Sequence, residues 1–315
     1  MDLLKTLHIQ NYRLFKDLTI EKLGQVNLIA GKNNSGKTAL LEALRIRASS
    51  PNVSSVLNNI QLLRGELVRT SDVQSYQSLF FNRQLSTDKL DTIKINDFEI
   101  THSFSKSNNF HLFQCKKDIS NRLSANISAD EPIDGVIYVP FSIDSQHNTQ
   151  FWESISLTSS ENDVVQILQL IEPKITTIRV ENGKAKVLLN DNPQPFFLKS
   201  FGDGLNRLLT LALALVNSKG KMLLIDEFEV GLHHSVQEKL WKVIFEYAKE
   251  WKIQIFVTTH SEDSLKAFYD IGSTPQYQDM ANYVSLKRKK NGDIEAVNFD
   301  LDEIETALLG NIEIR

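Results

Sequence analysis

Gly31-Lys32-Asn33-Asn34-Ser35-Gly36-Lys37-Thr38 is a complete GxxxxGK[ST] phosphate-binding loop. The apolar run Val26–Ala30 leads into it, and the helix-forming run Ala39–Leu44 follows. That is the strand–loop–helix setting in which such a loop cradles phosphate, and it separates the match from a chance Gly-rich turn. Gly31 and Gly36 let the backbone turn its N–H groups inward, with Asn33, Asn34 and Ser35 completing the cradle. The following helix N-terminus adds partial positive charge. Lys37 is placed to bridge the β- and γ-phosphates, and the Thr38 hydroxyl to ligate Mg²⁺. The stretch predicts a nucleoside-triphosphate-binding α/β chain.

Upstream, Leu7 and Ile9, then Leu18 and Ile20, alternate with polar residues as half-buried strands do, with Asn11–Phe15 turning between them. Downstream, residues 52–85 read as mixed and mostly helical. From Asp91 to Ser128 apolar residues alternate in two runs separated by Ser107-Asn108-Asn109, which predicts an antiparallel sheet. Gly135–Pro140 reads as another buried strand. Residues 161–171 form an amphipathic helix that Pro173 stops. Ile175–Val180 and Lys184–Leu189 flank the hairpin signal Glu181-Asn182-Gly183. The apolar runs Met222–Ile225 and Ile253–Val257, with a helical stretch 235–249 between them, read as strands of a parallel sheet buried on both faces. Asp300 is set to cap a last helix, with Glu303 reaching back and Gly310 ending it.

The bulk numbers narrow the class. A chain of 315 residues, 41% hydrophobic, suits one large α/β domain with insertions, or two small domains. A net charge of -4 argues against a uniformly basic nucleic-acid coat but leaves room for a local patch. The single cysteine, Cys115, forbids an intramolecular disulfide and suits a reducing cytoplasm. The longest apolar run, Leu208–Val216, is too short to span a bilayer.

Three further stretches complete a hydrolytic site. Lys221-Met222-Leu223-Leu224-Ile225-Asp226-Glu227 is an apolar strand ending in two carboxylates, and ligands of α/β sheets sit at the carboxyl ends of strands. Side chains alternate, so Asp226 can hold Mg²⁺ while Glu227 reaches the attacking water as general base. Thr258-Thr259-His260-Ser261 ends a neighbouring strand, placing His260 toward the γ-phosphate. Gly202-Asp203-Gly204 is a second Gly-rich turn feeding a strong helix, hence a second anion site. One triphosphate needs one cradle, so two cradles suggest that each serves a nucleotide held by another copy.

In this order the motifs resemble the ABC-type ATPase head, in the RecF/SMC/OLD-like branch. The phosphate loop lies near the N-terminus, Gly202-Asp203-Gly204 matches the signature turn, Asp226-Glu227 follows, Glu229-Val230-Gly231-Leu232-His233-His234 matches the dimer loop, and Thr259-His260-Ser261 the switch. Ile9-Gln10-Asn11-Tyr12-Arg13-Leu14-Phe15 also resembles the start of that branch. The Asp-Glu-x-Glu-x-Gly-Leu-His string is similar to OLD-like ATPases, many of which act against phage. The resemblance implies a P-loop NTPase fold of the α/β class with a mixed or parallel core sheet. It implies one domain over 1–315, a β-rich insertion near 86–130 and a helical/hairpin insertion near 142–199. It further implies ATP and Mg²⁺ sandwiched between two heads in a head-to-tail homodimer. Asn11 and Arg13 would then lie near the nucleotide, the Gly202–Gly204 turn opposite the Lys37 of the other protomer, and His233 and Ser235 at the seam.

The chain departs from that pattern in three places. Gly202 replaces the signature serine, leaving only backbone donors in trans. Phe141 stands where a glutamine often follows the strand Val136–Pro140, with Gln146 as the nearest substitute metal ligand. No acid-rich nuclease domain follows the switch, so a nuclease would be a separate chain. The expectation is a cytoplasmic, Mg²⁺-dependent ATPase that switches a separate effector, a nuclease or toxin in bacterial anti-phage defence, with no membrane association. The competing expectations are a RecF-like ATPase whose dimer binds DNA during repair, and an ATP-bound scaffold that does not hydrolyse. Intact Asp226, Glu227 and His260 argue against the scaffold.

Overall fold

The computed structural model describes residues 2–48, 53–66, 77–84, 90–105, 110–117, 121–123, 135–141, 145–310 and 312–314. The chain runs through β1 (Leu7–Tyr12), β2 (Phe15–Ile20), β3 (Val26–Ala30), α1 (Lys37–Ala48), α2 (Val53–Leu63), β4 (Asp91–Ile95), β5 (Phe98–Ser105), β6 (Phe110–Lys117), β7 (Asn121–Leu123) and β8 (Val136–Val139). It continues through α3 (Ser145–Ile155), α4 (Ser160–Leu168), β9 (Ile175–Glu181), β10 (Lys184–Leu189), β11 (Asn192–Phe197) and α5 (Asp203–Asn217). Then come β12 (Met222–Ile225), α6 (His234–Trp251), β13 (Gln254–Thr259), α7 (Glu262–Gly272), β14 (Ala281–Arg288), β15 (Ile294–Phe299) and α8 (Leu301–Leu309).

The apolar runs assemble as one six-stranded sheet in the order β15-β14-β3-β13-β12-β8. Its strands are parallel except the edge strand β15. Every residue of β3, β12 and β13 is buried. Alternation divides them between two cores. Leu28, Leu223, Ile225, Ile255 and Val257 face the core shared with α5, α6 and α7. Ile29, Met222, Leu224 and Phe256 face the core shared with α1 and the N-terminal strands. A sheet sealed on both sides has only its strand ends free for chemistry.

The N-terminal hairpin β1–β2 and the later strands form a single antiparallel sheet, β2-β1-β4-β5-β6-β7. This β-rich layer therefore includes residues outside the 86–130 stretch: Ile9 of β1 lies opposite Ile95 of β4. Sheet β11-β10-β9 contains the expected hairpin plus a third strand, β11, that the sequence did not announce. Helix α4 ends at Leu168, before Pro173, because the next amides close tighter turns onto Ile167 and Leu168. The last helix carries the expected capping box: Glu303 N–H donates to Asp300 Oδ1 at 2.8 Å, and Asp300 N–H to Glu303 Oε2 at 2.9 Å. No described helix is long and apolar enough to cross a membrane.

Candidate functional site

Parallel pairing brings the carboxyl ends of five strands to one edge. Ala30 lies opposite Thr259 and Ser285, while Ile225 lies opposite Val257 and Val139. The residues following those ends, Gly31, Asp226, His260 and Pro140, therefore share that edge.

The phosphate loop is shaped by close approach. A Cβ at Gly31 would overlap Ser35 Oγ and the Leu286 carbonyl, and one at Gly36 would lie 2.8 Å from the Phe15 ring. Gly36 also has φ +98°, and Asn34 takes the left-handed region at φ +62°. Lys37 Nζ donates to the carbonyls of Gly31 at 2.7 Å and Lys32 at 3.2 Å, spanning the loop. Burial pushes the Lys37 amine below its usual pKa, against the opposing pull of Glu227, Asp226 and Glu229. Ser35 Oγ is buried without a hydrogen-bond partner.

Thr38 Oγ1 donates to Asp226 Oδ2 at 2.8 Å, joining the loop helix to the end of β12. The other carboxylate oxygen, Oδ1, accepts from Thr258 Oγ1 at 2.6 Å, and Thr258 Oγ1 accepts from Glu227 N–H at 2.9 Å. This chain of bonds holds Glu227 in the left-handed region, φ +49°. For a non-glycine residue that conformation stores on the order of 1–3 kcal/mol, and such outliers cluster at functional sites. A hydroxyl and a carboxylate in contact form an oxygen donor set of the kind that holds Mg²⁺, and the orphaned Ser35 hydroxyl suits a loop built around an anion.

The loop, Thr38 and Glu227 line a cleft of about 1370 Å³. Its described walls carry six cationic side chains, Arg13, Lys16, Lys37, Arg64, Arg83 and Arg288, against three acids, Glu66, Glu227 and Asp293. That excess matches a polyanion. Arg13 reaches the wall from a buried network: Nε lies 2.8 Å from Glu42 Oε2 and Nη1 3.2 Å from Glu66 Oε2. Asn11 differs from expectation. It does not line this cleft; its amide donates to the Thr92 carbonyl at 3.0 Å, tying β1 to β4. The backbone of Gln146 lies in the first turn of α3, and its side chain lies outside the described residues.

His260 and the second Gly-rich turn stand at the same sheet end but not in that cleft. Glu229 Oε1 accepts from His260 N–H at 2.8 Å and lies 3.0 Å from Nδ1, so one carboxylate fixes both backbone and ring. Gly202 has φ +99° and open space where a side chain would project. Gly204 is packed within its own chain: a Cβ there would lie 2.9 Å from the Gly231 carbonyl. His233 accepts from Ser235 N–H through Nδ1 and caps α6.

Two roles escaped the sequence reading. Glu229 stood in the dimer-loop string, but its hold on His260 was not foreseen. The other role is that of Arg207, a cation beside an apolar helical run. It is buried and donates to the carbonyls of Pro140 at 3.1 Å, Asp226 at 3.0 Å and Glu227 at 3.2 Å. It thereby joins the helix after the second Gly-rich turn to the strand bearing both carboxylates.

Comparison with known proteins finds ATPase-domain likenesses. Residues 3–136 match the family model described as "AAA ATPase domain", and residues 158–265 the one described as "AAA domain, putative AbiEii toxin, Type IV TA system". The chain is 24% identical to an "ATP/GTP phosphatase" of Helicobacter pylori, covering 84% of this chain and 87% of that protein. A stretch of 67 residues is 43% identical to an uncharacterized protein of Methanocaldococcus jannaschii, covering 20% of this chain and 31% of that protein. Among solved structures, an Smc head bound to the C-terminal winged-helix domain of ScpA is similar at TM-score 0.59 and 13% identity, covering 96% of this chain and 99% of that one. An Smc head bound to the C-terminal domain of ScpA, derived from Pyrococcus furiosus, is similar at TM-score 0.58 and 11% identity, covering 98% and 99%. The fold is that of an SMC-head-like P-loop ATPase, in the α/β class, with mixed parallel and antiparallel sheets.

Proposed function

We propose that this chain is an ATP-hydrolysing switch that closes head-to-tail as a homodimer around ATP and controls a separate effector. The observation that carries the reading is the continuous bonding from the phosphate loop through Thr38 and Asp226 to Thr258 and Glu227. The two matched ATPase-domain models and the phosphatase relative support the hydrolytic part.

In this reading backbone N–H groups of residues 33–38 and the Lys37 ammonium bind the β- and γ-phosphates. Thr38 and Asp226 would hold Mg²⁺, which supplies charge neutralisation at those phosphates when bound. Gln146 is kept only as a candidate further ligand. Glu227 takes the proton of the attacking water, and its constrained backbone fixes its approach. His260, oriented by Glu229, contacts the γ-phosphate. Arg13 stands beside the nucleotide. Gly202, Asp203 and Gly204 present the N-terminus of α5 to the nucleotide held by the other protomer.

The effector is a nuclease or toxin on another chain, and the setting is bacterial defence in the cytoplasm. What prompts this setting is the toxin–antitoxin description of the model matching 158–265. The test is phosphate release with and without Mg²⁺, alongside equilibrium ATP binding. Lys37→Ala should lose binding. Glu227→Gln should bind ATP and lose on the order of 10²–10⁴-fold in turnover, the scale of a general base. A Lys37→Ala protein that binds and hydrolyses like wild type refutes the site.

A further inference from the structure

A second cavity, of about 650 Å³, opens between the N-terminal half of α5, the β9–β10 hairpin and the loop after β12. Its size falls within the roughly 300–1,000 Å³ of small-molecule pockets. Phe141 and Phe197 line it and stay 54% and 52% exposed; Lys186 Nζ stands 5.2 Å over the Phe197 ring, which leaves ring surface open on the other side. Flat faces of this kind take another ring.

The polar lining calls for an anion. Lys184, Lys199 and Arg207 stand against one acid, Asp203. Arg207 is only 3% exposed, and it donates to three carbonyls. Among the described residues no carboxylate lies within ion-pair distance of it, and its Nε has no partner. Asp226, Glu229 and Glu227 offset its charge only from beyond contact, so the guanidinium has no direct ion pair, which a buried cation ordinarily makes. Across the cavity Asn148, 8% exposed, leaves its Oδ1 without a hydrogen bond. Its amide needs only to rotate about its last bond to offer either edge. Buried polar groups in native proteins are satisfied as a rule, and exceptions point to something that completes them.

We propose that this cavity is a second ligand site, distinct from the phosphate-loop cleft, for a planar aromatic molecule that carries one anionic group and a hydrogen-bonding edge. A nucleoside monophosphate has that chemistry. Its ring would lie against the phenylalanines, its anionic group toward Lys199 and Arg207, and its edge toward Asn148. Arg207 also holds the Asp226 and Glu227 carbonyls, so occupancy would act on hydrolysis; that consequence rests on the ATPase reading, whereas the binding itself does not.

The test is calorimetric titration of the full-length Lys37→Ala protein, which silences the phosphate loop. The probes are AMP, GMP, CMP, UMP and 1-naphthyl phosphate, with inorganic phosphate and uncharged guanosine as controls. At least one aromatic phosphate should bind one per chain, at least tenfold more tightly than either control. Binding of the nucleotides alone identifies a base-reading site, and binding of naphthyl phosphate as well identifies a general aromatic-anion site. Phe197→Ser and Lys199→Glu, both at the cavity rim, should each weaken binding at least tenfold with unchanged melting temperature. Absence of saturable binding by every aromatic probe overturns the proposal. So does binding that both rim variants leave intact, or binding that inorganic phosphate reproduces.

Discussion

Two bonds from Glu229 decide how His260 can act. With Nδ1 held by the carboxylate, the ring's orientation is fixed, and Nε2 lies on its opposite side. Glu229→Ala should lower turnover on the order of 100-fold, the scale of a misplaced reacting group, while ATP affinity stays near wild type. Glu229→Gln keeps an acceptor and should recover part of the loss. Imidazole ¹⁵N spectra check the cause: the ring signature of wild type should survive in the glutamine variant and disappear in the alanine variant. Equal turnover in all three proteins removes Glu229 from the mechanism. Lys37 gives a pH signature. Its pKa is lowered by burial, so its charge is lost at lower pH than the roughly 10.4 of a free lysine. A bound triphosphate favours the charged form. Affinity should therefore fall as pH rises into the alkaline range, before ordinary lysines titrate, as binding assays across pH would show. Lys37→Arg, charged throughout, should lack that decline if it binds.

Among the elements, α5 joins both ends of the proposed composite site. Its Gly204 touches the chain's own Gly231 carbonyl, so Gly204→Ala should lower stability by about 1–3 kcal/mol through overpacking, read as a lower melting temperature. A probe of action in trans therefore belongs at exposed Asp203. Asp203→Arg and Lys37→Ala should each be inactive alone, and mixing them should restore partial turnover, because one of the two shared sites is then intact. No rescue in verified heterodimers argues for sites complete within one chain. The elements differed in how openly the sequence declared them. The phosphate loop and the Asp226-Glu227 strand end are local patterns in strand, turn and helix, and both were legible. Strand β14 was not. Its Asn282 is buried beside β3, where its amide donates to Asn27 Oδ1 at 3.2 Å and its own Oδ1 accepts from Asn298, and this polar ladder breaks the apolar run that marks a central strand. Arg207 was hidden for a related reason. A cation beside a helix reads as surface until three carbonyls from two distant strand ends are brought to it.

At the scale of the whole molecule, one sheet edge gathers the phosphate loop, both carboxylates and the switch histidine. The second Gly-rich turn, like the histidine, sits outside the cleft that the loop, Thr38 and Glu227 line. A single chain so arranged has an open site, and a second copy supplies the missing wall in the proposed switch. Assembly would then follow nucleotide state, and an effector could read it. Glu227→Gln keeps the shape of the site while removing the base, so bound ATP should persist. Light scattering on that variant, with and without Mg²⁺-ATP, addresses the claim most directly. The sandwich predicts a 35.9 kDa species without nucleotide and a species of twice that mass with it. A protein that binds ATP fully yet remains at 35.9 kDa contradicts it.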